Sequence, residues 1–119
     1  MRMIIKSKEY EDFFCSLDVR TQEKLEYILQ MMTDIRVINT KFVKKLENTD
    51  FYEIRVSSGN EYRVILYTID KDSFIESEQI LLLNGFVKKS TKDYRKNITV
   101  AESIIQRFAD TDSDKEKRL

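Results

Sequence analysis

The stretch YEIRVSSGNEYRVILY, residues 52–67, decides the fold. Apolar and polar residues alternate on both sides of Ser57-Ser58-Gly59-Asn60, the pattern of two half-buried strands joined by a tight turn. Arg55 lies four residues before Gly59 and Arg63 four residues after it. A three-residue loop of Ser58, Gly59 and Asn60 makes the two arginines direct cross-strand partners; a loop of two or four residues puts them on opposite faces. Like charges opposed in a sheet cost from a few tenths to roughly 1 kcal/mol. One reading is that Glu53 and Glu61 neutralise them in an exposed ladder of surface ion pairs. Another is that an anion sits between them, since a guanidinium fork matches phosphate oxygens. The hairpin alone leaves both open.

Working outward, RMIIK (residues 2–6) reads as a short edge strand. Ser7 can cap a helix carrying Tyr10, Phe13, Phe14 and Leu17 at helical spacing, and Asp18 a second with Leu25, Ile28, Leu29, Met32 and Ile35. These form a helical hairpin over one face of the sheet. NTKFVKKLENTD (39–50) is a basic connector anchored by Phe42, Val43 and Leu46. In the hairpin's second strand Tyr62, Val64 and Leu66 share one face, and Arg63, Ile65, Tyr67 and Ile69 the other. Asp70–Ser73 is a turn, and EQILLLNG (78–85) a strand buried on both faces. Thr99 with Glu102 forms a capping box that opens a last helix, with Ala101, Ile104, Ile105 and Phe108 on its apolar face. The result is an α+β fold: a small antiparallel sheet, an N-terminal helical hairpin and a C-terminal helix. Residues 1–109 make one domain, and 110–119 a polar, charged tail expected to be disordered.

The composition removes several chemistries. The 119 residues include one cysteine, two glycines and no histidine, proline or tryptophan. A zinc site lacks ligands, and a Ser-His or Cys-His nucleophile lacks its base. Two glycines do not make a phosphate-cradling loop. No cofactor and no metal are expected. No apolar run nears the roughly 18 residues of a membrane span, and the opening turns acidic too soon for a signal peptide. A lone cysteine fits a reducing compartment, so a cytoplasmic location is expected. Cys15 reads as a small, partly buried core residue. DTDSD (110–114) resembles the start of a calcium loop but lacks its glycine and its last ligand.

Formal net charge is zero, yet residues 36–63 carry six Lys/Arg against four acids, and 84–107 six against two. Such a region can bind a polyanion locally. In LLLNGFVKKSTKDYRK (81–96) Gly85 lets the chain leave the sheet, and Lys88 and Lys89 follow at a strand exit beside the arginine pair, where sites tend to lie.

KKLENTDFYEIRV (44–56), EYRVILY (61–67) and ILLLNGFVKKSTK (80–92), in that order and spacing, resemble the phage-derived Gp49-like and HigB-like branch of the RelE/ParE toxin superfamily, over about residues 40–109. The resemblance implies a RelE-like fold and the toxin half of a bacterial type II toxin–antitoxin pair. It implies a metal-independent endoribonuclease that cleaves mRNA on the ribosome through the RNA's own 2′-hydroxyl, leaving a cyclic phosphate. Arg55 and Arg63 then stand at the family's two arginines, Lys88 and Lys89 at its paired lysines, and Tyr94 near a catalytic tyrosine. A lysine depressed by its cationic neighbours serves as base, with Arg63 on the phosphate and Tyr94 as proton donor. Lys41, Lys44, Lys45 and Lys92 position the RNA backbone. Tyr62 and Tyr67 are candidates for stacking bases. The implied partners are an antitoxin of helix-turn-helix type, the ribosome and mRNA.

Departures from the pattern are the neutral charge, Glu53 where RelE has lysine, the missing histidines of some HigB-like relatives, and Asp93-Tyr94 where the Gp49-like pattern has proline. A ParE-like gyrase poison and a silent, antitoxin-binding relative share the fold and remain as rivals.

Overall fold

In the computed structural model, which describes residues 1–117 and side chains as far as Asp110, the caps expected for the first two helices are made by specific contacts. β1 (Met3–Lys6) runs into Ser7, whose hydroxyl oxygen accepts the Tyr10 N–H at 3.0 Å and caps α1 (Lys8–Ser16). Asp18 Oδ1 accepts the Thr21 N–H at 3.1 Å and caps α2 (Val19–Asp34). β2 (Val43–Lys45), β3 (Phe51–Ser58), β4 (Asn60–Thr68) and β5 (Gln79–Val87) follow, and α3 spans Lys92–Lys117.

The sheet order is β1-β5-β4-β3-β2. Four strands are mutually antiparallel, while β1 joins the β5 edge in parallel, with Ile4 opposite Ile80. That pair has the long connection a parallel pairing needs. β1 is held there by Arg2, whose five N–H donors reach the carbonyls of Met32, Ile35, Arg36, Phe74 and Ser77. The basic connector contains a strand that sequence reasoning missed: β2 is too short to show alternation, and it edges β3 with Lys44 opposite Glu53.

The two faces carry separate cores. α1 and α2 bury Tyr10, Leu25, Leu29 and Met32 against Ile54, Val64, Leu66, Ile80 and Leu82. On the other face Ala101 and Ile104 of α3 cover Phe51, Ile65, Leu81, Leu83 and Phe86. β5 therefore reads as continuously apolar because helices cover both its sides.

Three expectations are corrected. α3 opens at Lys92, not Thr99. The Asp93 carboxylate reaches back to the N–H groups of Lys89 (2.7 Å) and Ser90 (3.0 Å), tying the segment that leads into the helix to its first turn, and Thr99 lies mid-helix, its hydroxyl on the Arg95 carbonyl. Gly85 does not release the chain: it pairs with Val64 inside β5, and a Cβ there would lie 2.6 Å from Phe13 Cγ, so its bareness seats α1. Cys15 is exposed rather than partly buried. α3 continues past Asp110, where the polar tail is expected; residues 118–119 and the side chains of the acidic stretch beyond Asp110 lie outside what is described. No helix among the described residues is long and apolar enough to cross a membrane.

Candidate active site

The β3–β4 turn has Gly59 at its tip with φ +77°, and Ser58 pairs with Asn60. Arg55 is therefore directly opposite Arg63, which in turn lies opposite Phe86 of β5. The period of two carries Glu53, Arg55, Glu61 and Arg63 to the α3 face. α3 then brings Tyr94 onto Arg63 from its first turn, packed edge-to-face on Phe86 with ring centroids 5.4 Å apart.

What lies between the arginines is the protein's own carboxylate. Glu53 Oε1 is 3.4 Å from Arg55 Nε and 3.6 Å from Arg63 Nε. Arg63 is 2% exposed and Glu53 3%, so this is a buried charge cluster, neither the exposed ladder nor the open anion site that the hairpin left as alternatives. Arg63 also donates to Tyr94 Oη (3.1 Å) and the Tyr62 carbonyl (2.9 Å), and meets Glu61 Oε1 at 3.4 Å. An unpaired buried guanidinium is prohibitive, and these acceptors are what make its burial tolerable. Arg55 is only half-buried and, among the described residues, has Glu53 as its ion-pair partner, so its outer edge faces solvent. Glu53 Oε2 is buried without a hydrogen-bond partner.

Of the lysines, Lys88 joins this group. Its N–H donates to the Glu61 carbonyl at 2.7 Å, and its ammonium lies 5.7 Å from the Tyr94 ring centroid. Lys89 is exposed and contributes its backbone N–H to Asp93. Lys44, exposed on β2 opposite Glu53, borders the same face. Lys45 points elsewhere: its ammonium is tied to the Leu46 and Thr49 carbonyls and lies 5.6 Å from the Tyr52 ring centroid. Lys41 sits 4.9 Å over the Phe42 ring at the open edge of β3. Lys92 is exposed at the start of α3. The structure thus gathers Arg55, Arg63, Lys88, Tyr94 and Lys44; Lys45 lies apart from them, and Lys41 approaches Arg55 at the β3 edge rather than within this cluster. Tyr67 packs beside Phe51 in the α3-side core, and Tyr62 packs on Phe13 on the other face, so the two tyrosines do not line one groove.

Burial, then the neighbouring Glu53 carboxylate, push the Tyr94 phenol above its ordinary pKa, with Arg63 opposing. The phenol is therefore neutral at physiological pH. Arg63 Nε donates to its oxygen, and its own proton has the Glu53 carboxylate as acceptor. Glu61 is held below the usual carboxylate range by the Ser57 hydroxyl and by Arg63. No cluster of three or more His, Cys, Asp or Glu suited to a metal occurs among the described residues. Glu53 was the signal most open to sequence reasoning, since it shares the arginines' face by the strand period. Its burial required knowledge of α3.

A sequence model of the family described as phage-derived protein Gp49-like matches residues 12–106. Comparison with curated proteins gives no match. Among solved structures, the chain is similar to a chain of the intact E. coli RelBE toxin–antitoxin complex (18% identity, TM-score 0.58, 76% of this chain and 100% of that one). It is similar to a free mutant of E. coli toxin RelE (16% identity, TM-score 0.59, 89% and 96% covered). It is also similar to a chain of the Methanococcus jannaschii RelB–RelE antitoxin–toxin complex (18% identity, TM-score 0.53, 76% and 96% covered). At such identities the likeness is one of fold.

Proposed function

The chain belongs to the phage-derived Gp49-like family, and on that premise we propose that it is the toxin of a bacterial type II toxin–antitoxin pair, cleaving mRNA on the ribosome without a metal ion. The observation that carries the reading is the meeting of Arg55, Lys88 and Tyr94 around buried Arg63 on one face of a RelE-like sheet. The RNA 2′-hydroxyl attacks the adjacent phosphorus as Lys88 takes its proton, and Arg55 and Lys44 stabilise the charge that develops on the phosphorane. The bond to the 5′-oxygen breaks, and Tyr94 supplies that oxygen's proton, leaving a 2′,3′-cyclic phosphate and a 5′-hydroxyl. Arg63 orients the phenol rather than holding the phosphate, because its donors are already committed. RelE is solved with RelB in two of the similar structures, which supports an antitoxin partner here; that it is of helix-turn-helix type and encoded nearby is what the resemblance to the HigB-like branch implies. Action is in the cytoplasm.

A second reading is favoured by Glu53: a carboxylate lodged between the arginines suits a silent relative that binds only its antitoxin. The test is to induce wild type, Lys88→Ala and Tyr94→Phe in bacteria without the antitoxin, map mRNA 5′ ends and assay DNA supercoiling. Codon-linked cleavage that both variants lose by at least about 100-fold supports the nuclease. Intact mRNA with growth arrest and altered supercoiling points to a gyrase poison, and no growth effect to the silent form.

A further inference from the structure

Across β3 from the site, α2 and the segment before β2 leave an open groove of about 690 Å³. It exists because β2 stops at Val43: the Arg55 N–H still reaches the Phe42 carbonyl at 2.7 Å, and beyond it the β3 edge has no neighbouring strand. Ile28 and Val56 form an apolar floor, and the half-buried Phe42 ring adjoins it. Tyr27, 66% exposed, stands on the α2 wall. Arg20, Lys24, Lys41 and Arg55 line the same space, with Glu23 the one acid among the described lining residues. In a chain of zero net charge this local excess is marked.

We infer that this groove is a second subsite for single-stranded RNA, taking a nucleotide next to the one cleaved; the inference rests on the nuclease reading above. An exposed aromatic wall inside a cationic trough is how proteins hold single strands without reading sequence, bases stacking while cations follow the phosphates. A docked peptide strand is the other occupant an open edge invites. It would need the outward Ser57 carbonyl, and Lys24 Nζ already donates to that oxygen at 2.8 Å. Continuity comes from Arg55, which lines the groove and also pairs with Glu53 on the cleavage face. A strand crossing the β3 edge therefore keeps one guanidinium between its two halves.

The test uses a fluorescein-labelled hexaribonucleotide with every 2′-hydroxyl methylated, bound to the full-length protein and followed by anisotropy over a salt series. Arg20 and Tyr27 are exposed and outside the cleavage cluster, so Arg20→Ala and Tyr27→Ala should fold normally, which circular dichroism checks. Tyr27→Ala is expected to weaken binding about 5- to 100-fold. Arg20→Ala should weaken it less and reduce the salt slope by about 0.7. On cleavable message both raise KM and leave kcat. Unchanged affinity in both variants overturns the inference, as does absence of wild-type binding at millimolar oligonucleotide. Retained RNA affinity with lost binding of the antitoxin also overturns it and assigns the groove to a protein. A wild type that binds through Tyr27 but cuts no message keeps the subsite and sinks the nuclease reading.

Discussion

Replacing Arg63 with alanine should destabilise the whole fold rather than only the site. The guanidinium is 2% exposed, and its removal leaves Glu53, itself 3% exposed, with Arg55 Nε at 3.4 Å as its remaining cation among the described residues. Tyr94 Oη and the Tyr62 carbonyl lose a donor at the same time. Breaking a buried ion pair by deleting one partner costs about 3–5 kcal/mol. That is a large share of the roughly 5–15 kcal/mol that holds a domain of this size together. Urea titration should show the midpoint falling sharply with the m-value unchanged. Adding Glu53→Gln in the same chain removes the stranded charge, so the double variant should be more stable than the sum of the two singles predicts, by about 1–3 kcal/mol. If Arg63→Ala costs under about 1 kcal/mol, the ordinary price of a point substitution, or if the two changes simply add, the buried-strut account of Arg63 is wrong. The guanidinium is then free to face a phosphate.

Two further outcomes follow from the fold. Gly85→Ala forces a methyl group against the Phe13 ring, which is packed against Tyr62 at 6.5 Å between centroids. It should cost about 1–3 kcal/mol in a chemical melt, and Phe13→Ala in the same chain should recover part of it. Asp70 is held at a pKa of about 2 by the Ser77 hydroxyl first and then by the Glu78 and Gln79 N–H groups. A carboxyl depressed in the folded state stabilises above its unfolded pKa near 4 and loses that contribution as pH falls toward 2. Asp70→Asn should therefore lower Tm at pH 7, with the gap to wild type closing between pH 4 and pH 2; a gap independent of pH would count against this.

Much of the fold was legible because its signals are short in range. Ser7 and Asp18 cap the helices they precede, and the period of two from Tyr52 to Tyr67 assigns each side chain to a face. Two of the misses share a cause in longer-range contacts, and a third lies between two local signals. β2 is a strand only because β3 lies beside it, and Gly85 matters because of Phe13, far away in sequence. Ser90 with Asp93 competed with Thr99 and Glu102 as a helix start, and both spacings were present in the chain.

The amino-acid order alone, through strict alternation about a turn at Gly59, allows Arg55 and Arg63 to face one another, and the Ser58–Asn60 pairing of the folded hairpin selects that register. It also places Glu53 on their side. Whether that carboxylate is a surface counter-ion or a buried clamp depends on what covers the sheet, and the covering element is α3, joined to it only through the tertiary fold. The charge of a side chain is written in the sequence, but the solvation that decides what the charge can do comes from whichever neighbours fold against it.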